Sequence, residues 1–449
     1  MQVHIETPES GSMVLARAGA VHADYMYMYP PRQTYRPLAL SPAELEAKLR
    51  ASFGRSDVLN LYVHVPFCRQ ICSFCNLYTT TGEGTDHREY TTAVLEEASR
   101  YTRFTEPKTV ATLYFGGGTP SLLAPELLGA MTERLLADFS APGTPAPSEI
   151  ALEVDPATVD QARLRDLRQA GINRVNLGYQ SLVPEEVTRI GRREGARRTQ
   201  ALEIALGTGF DNVCVDLIYG LERQTDDAWR TSVRTVAAMA PQTVCAYPLT
   251  TRPLTSYGKR GYTFVPAETL YRRYDIAHEL LTAAGYRQET HVRWVRGGGG
   301  YVQKVNHWRM QNVLGLGAGA RSYLWELDTR NGYSLRSRGD ALHSYLRAAG
   351  TDTLPITDGY LMTDEERRRK AVVLNLLHLD RSWFTSLFGT DPVEAFPVEF
   401  ACLADAGICE IGPSEIRLTA HGTRIRDLAV QMFISPEVRD RLGKFSYSE

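Results

Sequence analysis

The chain has 449 residues, room for about three domains on length alone, and its 50 basic and 52 acidic side chains leave a formal net charge of −2. That balance excludes the strong positive field that nucleic acid or an anionic membrane surface selects. With no apolar run long enough to span a bilayer, no secretion-type start in Met1-Gln2-Val3-His4-Ile5-Glu6, and seven cysteines of which three cluster, the expectation is a soluble cytoplasmic protein with no nucleic-acid and no membrane partner.

Residues 1–55 precede the first strand and form an N-terminal arm. Its segment Tyr25-Met26-Tyr27-Met28-Tyr29-Pro30-Pro31-Arg32-Gln33-Thr34-Tyr35 is crowded with aromatics, and its prolines forbid a regular helix. It reads as an extended arm packing tyrosines onto the main domain, with a flap over an active site as the competing reading. Ser41-Pro42-Ala43-Glu44 places an N-cap before a first-turn proline and starts a helix through about Phe53. Val58 to Val65 is an apolar, β-branched run and is expected to be a strand. Directly after it Cys68, Cys72 and Cys75 stand at C-x3-C-x2-C. An odd number of thiols leaves one over in a disulfide set, and a structural zinc site wants four ligands. His64, a strand residue just before the loop, points into the core rather than completing such a site. Three thiolates suit a [4Fe–4S] cluster with one iron left open, against the plainer reading of loop cysteines without a metal.

The chain then alternates. Helical patterns cover 87–104, 125–138, 158–170, 184–191, 196–209 and 226–240, and between them lie apolar runs at Thr109–Phe115, Glu149–Val154, Arg174–Leu177, Asn212–Ile218 and Thr243–Tyr247. Such alternation predicts a parallel sheet with covering helices, whose reactive groups gather at the C-terminal ends of the strands. Gly116-Gly117-Gly118-Thr119-Pro120 follows the second strand and allows close backbone approach to a ligand. Glu153 and Asp155, two apart at the end of the third strand, face one side. Leu177-Gly178-Tyr179-Gln180-Ser181 ends the fourth, with Arg192 beyond. Asp216 sits inside an apolar strand, which is costly unless it is paired, and Arg192 is the expected partner.

Val292 to Gly300, with a four-glycine run, reads as a flexible loop. In Tyr301-Val302-Gln303-Lys304-Val305-Asn306-His307-Trp308, His307 is read as a satisfied structural histidine, with substrate contact as the alternative. Tyr247 is a candidate on the substrate side. Past residue 330 a capped helix from Thr363 to about Leu379, a helical stretch at 391–406, a hairpin at Ile408–Thr419 and a last helix from Ala420 suggest a winged-helix-like α+β module without a DNA-binding basic stripe. Cys214, Cys245, Cys402 and Cys409 are read as separate small buried apolar residues.

These motifs in this order resemble the HemN-like branch of the radical S-adenosylmethionine (SAM) superfamily, from roughly Tyr25 to Tyr323. The resemblance implies a partial (βα)6 TIM-like radical SAM barrel at 56–329, between the arm at 1–55 and a C-terminal HemN-like winged-helix domain at 330–449. It implies Cys68, Cys72 and Cys75 as cluster ligands; Tyr62, Gly117, Glu153 and Arg321 as contacts to a first SAM; and Phe74, Gly118, Thr119, Gln180, Arg192 and Asp216 as contacts to a second.

Within the branch, Ser73-Phe74-Cys75-Asn76 together with the Tyr29-Pro30-Pro31-Arg32-Gln33 arm is most similar to the class C radical SAM methyltransferases. That implies natural-product C-methylation with two SAM molecules: a 5′-deoxyadenosyl radical takes hydrogen from the methyl of the second SAM, and the methylene radical adds to an sp2 carbon of a small-molecule or peptide heteroaromatic. An electron donor such as flavodoxin or ferredoxin would serve the cluster. The competing members of the branch are a heme-binding chaperone and coproporphyrinogen III dehydrogenase. The dehydrogenase pattern has a fourth cysteine where this chain has Leu77.

Overall fold

A computed structural model describes residues 23–81, 86–192, 195–262, 265–334 and 336–446. The first 22 residues of the expected arm, and with them the reading of the N-terminus, lie outside the described residues. Six parallel strands form the centre: β1 (Val58–Val65), β2 (Thr109–Gly117), β3 (Glu149–Val154), β4 (Arg174–Gln180), β5 (Asn212–Tyr219) and β6 (Thr243–Pro248). They pair in chain order. Nearly every residue in them is buried, as a sheet covered on both faces requires. The crossovers are amphipathic helices. In Pro125–Phe139 the buried set Leu128, Met131, Leu135 and Phe139 recurs at helical spacing, and in Asp226–Met239 Trp229, Val233 and Val236 do the same. This is the expected partial (βα)6 barrel.

The sheet does not close. Past β6 it is extended by β7 (Arg287–Thr290) and β8 (Arg293–Val295), antiparallel, with β8 against β6. Past β1 it is extended by β9 (Val313–Leu316), then by antiparallel β10 (Arg321–Tyr323), β11 (Leu327–Asn331) and β12 (Ile356–Leu361), giving twelve strands in all. Two expectations change here. The stretch expected to be a loop after Val292 contains β8, with Arg293 and Trp294 buried, and the boundary expected between 329 and 330 falls inside β11.

A second core lies in the C-terminal unit, where β13 (His378–Asp380), β14 (Cys409–Ile411) and β15 (Glu415–Leu418) form a three-stranded antiparallel sheet. The expected hairpin is β14–β15. The helix from Asp364 stops at Asn375, because His378–Asp380 is taken up as a strand against β15. Pro397 divides the segment 391–406 into Pro392–Ala395 and Pro397–Asp405. The region from Ala420 is a series of short turns of helix ending in Pro436–Gly443.

The arm packs against this second core rather than simply onto the barrel. Met28, Tyr29 and Tyr35 are buried in it. Tyr29 donates its hydroxyl to Glu366 at 2.5 Å and accepts from the Ser435 amide at 3.1 Å. Tyr25, by contrast, rests on Tyr247 and His291 at the barrel, with ring centroids 5.7 and 5.3 Å apart. No helix among the described residues is long and apolar enough to cross a membrane.

Candidate functional site

The C-terminal ends of β1 to β5 converge on one cavity, which Cys68, Cys72 and Cys75 line together with Phe74. Gly117, Gly118 and Thr119 line it from β2 and its loop; Glu153, Asp155, Gln180, Arg192 and Asp216 line it from the strands beyond. The cysteine loop is pinned by its own backbone. The Cys68 amide donates to Thr80 at 2.9 Å and the Thr80 amide to Pro66 at 2.8 Å. The Cys68 sulfur lies 3.4 Å from the Thr119 hydroxyl, and Arg192 donates Nε–H to the Cys72 sulfur at 3.2 Å. Burial pushes the Cys68 thiol up to about 12 and raises that of Cys75 as well. Thiols held up in this way stay thiolate only against cationic charge, and a set of three cysteine sulfurs with a guanidinium beside it fits an iron–sulfur cluster.

The glycines are required where they stand. Gly117 has φ +119°, and a Cβ there would meet the His64 ring at 2.7 Å; a Cβ on Gly118 would meet the Phe67 carbonyl oxygen at 2.6 Å. Gly117→Ala is therefore expected to remove SAM binding, measured by equilibrium dialysis, and to lower the melting temperature. The Gly117 amide donates to Glu153 Oε2 at 2.9 Å, and Tyr114 donates to Oε1 at 3.0 Å. Burial nonetheless pushes the Glu153 carboxyl up to about 7, the Gly117 hydrogen bond opposing the rise. His64 is buried as expected. Burial brings it down to about 4, so it is neutral. Its Nε2–H donates to the Tyr78 carbonyl at 2.8 Å, which leaves Nδ1 to accept from the Tyr62 hydroxyl at 2.9 Å.

Three expected assignments change. Arg192 does not pair with Asp216: it reaches the Gly178 carbonyl, the Cys72 sulfur and, at 4.0 Å, Asp155. Arg192 follows the short helix Pro184–Arg189 beyond β4, whereas Asp216 lies within β5. Tyr62 and Arg321 line a different cavity, on the side of β1 where β9 and β10 extend the sheet. Tyr247 lies against Tyr25 and lines neither of these two cavities.

This second cavity escaped sequence reasoning. Tyr27 of the arm, Tyr78, Tyr301 and Tyr323 give it aromatic walls, and Arg32, Lys304 and Arg321 face into it. Among the described residues none of these three cations has a carboxylate partner. Arg32 donates to the Asn76 carbonyl at 3.2 Å, Lys304 Nζ stands 4.8 Å over the Tyr27 ring, and Arg321 donates to the Tyr27 hydroxyl at 3.1 Å. Burial opposes ionisation of Tyr27, but Arg321, Arg32 and Lys304 outweigh it and bring its hydroxyl down to about 7. Burial likewise brings Lys304 down to about 8. His307 is not the satisfied histidine expected: it is buried, and neither ring nitrogen has a partner among the described residues. Its ring lies 4.3 Å from Tyr323. Burial, then Lys370 and Lys304, hold it well below the usual histidine range. Leu77, at the place of the missing fourth cysteine, lines both cavities.

The model of the Radical SAM superfamily matches residues 62–236. The heme chaperone HemW of Escherichia coli is 31% identical over 265 residues, covering 58% of this chain and 69% of the chaperone. The oxygen-independent coproporphyrinogen III oxidase of Cereibacter sphaeroides is 28% identical over 424 residues, covering 88% of this chain and 90% of the oxidase. Among solved structures, coproporphyrinogen III oxidase (HemN) from Escherichia coli superposes with a TM-score of 0.76 at 22% identity, over 91% of this chain and 96% of that one, which establishes the shared fold. These matches overturn the narrower expectation of a class C methyltransferase in natural-product biosynthesis. The similar chains are heme chaperones and coproporphyrinogen oxidases, and the arm and Ser73-Phe74-Cys75-Asn76 did not discriminate between these and a methyltransferase.

Proposed function

The chain belongs to the radical SAM superfamily, in the family that includes the heme chaperone HemW, and from that premise we propose that it is a radical SAM enzyme acting on a carboxylate-bearing tetrapyrrole. The observation that carries the proposal is the pairing of cavities: an aromatic chamber with three cations that lack carboxylate partners among the described residues shares one lining side chain, Leu77, with the cysteine cavity. In this reading Cys68, Cys72 and Cys75 hold a [4Fe–4S] cluster, which supplies the electron that cleaves SAM, and an electron donor such as ferredoxin or flavodoxin recharges it. Gly117 and Gly118 let the backbone approach that SAM, and the Glu153 carboxylate faces its ammonium group. The proposal assigns no second SAM. The expected second SAM rested on the match of Phe74, Gly118, Thr119, Gln180, Arg192 and Asp216 to positions in the HemN-like branch.

The substrate's carboxylates fall to Arg32, Lys304 and Arg321, and its ring plane to Tyr27, Tyr78 and Tyr323. A charge-assisted hydrogen bond of this kind contributes about 1.5–3 kcal/mol. Arg321→Gln and Lys304→Gln are each expected to weaken binding of coproporphyrin III about tenfold or more, read by fluorescence titration. The deciding experiment is anaerobic incubation of the reconstituted enzyme with SAM, reductant and coproporphyrinogen III. SAM-dependent loss of carbon dioxide from the porphyrinogen supports the reading; 5′-deoxyadenosine forming while the porphyrinogen is recovered unchanged overturns it. A second reading, heme binding without turnover, is favoured by the His307 imidazole in the chamber, which has no hydrogen-bond partner among the described residues, and heme titration followed by visible absorbance tests it.

A further inference from the structure

On the reading that Cys68, Cys72 and Cys75 hold an iron–sulfur cluster, we propose that Arg338 is its positioning residue: it fastens the backbone that follows Cys75 and, through the Thr79 hydroxyl, raises the reduction potential. Arg338 opens the helix Arg338–Ala349, which lies between β11 and β12 and so reaches the cysteine loop from outside the six-stranded centre.

The carbonyls of Leu77, Tyr78 and Thr79 each accept from a side chain. Arg338 Nη1 donates to Leu77 at 3.3 Å and to Thr79, and His64 Nε2 donates to Tyr78 between them at 2.8 Å. The clasp is reciprocal, because the Tyr78 hydroxyl donates to the Arg338 carbonyl at 2.8 Å. The Tyr78 ring is packed as well as bonded: a Cβ on Gly319 would meet it at 2.8 Å. These carbonyls have no sheet ladder to join, and side chains from two distant elements satisfy them instead. Leu77, which lines both cavities, is fixed by the same clasp.

The clasp also carries charge to the sulfur. Arg338 donates to Thr79 Oγ1 at 2.8 Å. A hydroxyl that accepts there keeps its own hydrogen for another acceptor. Thr79, 1% exposed, lines the cysteine cavity together with Cys75. Burial raises the Cys75 thiol, and the Leu77 amide, the Arg338 charge and the Thr79 hydroxyl each pull it back. Burial likewise lowers Arg338, and Cys75 is foremost among the groups that hold its charge. Arg338 has no carboxylate partner among the described residues to cancel that charge. Reduction adds negative charge to a cluster, so a cation and a hydrogen bond at a ligand sulfur favour the reduced form. With Arg192 on the Cys72 sulfur, two of the three cysteines have a guanidinium in their surroundings.

The test is a redox titration of the anaerobically reconstituted full chain, followed by electron paramagnetic resonance of the reduced cluster, with iron and sulfide measured for each variant. Arg338→Met is expected to lower the midpoint by about 59 mV, a tenfold shift of a one-electron equilibrium. Arg338→Lys keeps the charge and is expected to recover at least half of that loss. Thr79→Val is expected to lower the midpoint in part, and to shrink the effect of Arg338→Met when the two are combined. Arg347→Gln removes an exposed arginine from the last turn of the same helix and is expected to leave the midpoint unchanged. Should Arg338→Met fail to take up a full cluster, Thr79→Val carries the comparison. A parental midpoint in the fully loaded Arg338→Met or Thr79→Val chain, or an equal shift in Arg347→Gln, overturns the role of Arg338 and leaves the cluster assignment standing. A parent chain without any iron–sulfur signal overturns both. None of these outcomes depends on the tetrapyrrole assignment.

Discussion

Replacing Cys68, Cys72 or Cys75 by serine is expected to abolish both the iron–sulfur absorbance and the formation of 5′-deoxyadenosine from SAM. The loop brings the three sulfurs to one cavity with nothing else of their kind lining it. Loss of one leaves two soft donors, and burial already disfavours the thiolate at Cys68 and Cys75. Iron and sulfide analysis of each reconstituted variant, together with the yield of 5′-deoxyadenosine under strong reductant, makes the measurement. A serine variant that retains full SAM cleavage would show that the assigned sulfur is not a ligand.

The largest expected loss of stability lies away from the cysteines, at Glu97. It is fully buried on the helix His87–Tyr101 and braces the glycine loop between β9 and β10. It accepts from the Gly317 amide at 2.8 Å, the Tyr345 hydroxyl at 2.6 Å and the Asn331 amide at 2.7 Å. Glu97→Ala strands all three donors in the core and is expected to cost about 3–5 kcal/mol, read from urea unfolding midpoints. The same residue carries a pH signature. Burial, opposed by the Tyr345 hydrogen bond, raises its carboxyl from 4.5 to about 7. The folded state thus holds the proton more tightly than the unfolded state. The resulting stabilisation is complete below pH 4.5 and is lost as the pH rises through about 7, by about 3 kcal/mol in all. Glu97→Gln should flatten that slope.

How much of this could be read from the residues depends on what each feature needs. Strands β1 to β6 are buried on both faces, so they appear as near-continuous apolar runs; Asn212–Ile218 was expected and Asn212–Tyr219 is found. The cavity residues Gly117, Glu153, Gln180 and Asp216 were accessible for the same reason, since each sits on a strand, whereas Arg192 follows the short helix Pro184–Arg189. Strands β7 to β12 were not: Arg287-Gln288-Glu289-Thr290 has neither alternation nor an apolar run, and it forms a strand only because β8 is there to pair with it. Pairings that depend on side-chain reach were also hidden. Nothing along the chain distinguishes Glu97 from its neighbour Glu96. Cys214 and Cys245 meet only through the β5–β6 register. The aromatic chamber needs the arm, β10 and the Val302–Trp308 helix to come together from three distant stretches.

A barrel left open has two outer strands whose backbone groups can recruit strands from other molecules. On one flank β7 is only four residues long. On the other, Arg36 lies along β12, its amide donating to Gly359 at 3.0 Å and its carbonyl accepting from Gly359 at 2.9 Å. The same stretch of arm that roofs the chamber with Tyr27 therefore also keeps molecules from zipping together edge to edge, and a chain trimmed to begin after Arg36 would lose its colloidal protection together with its ligand chamber.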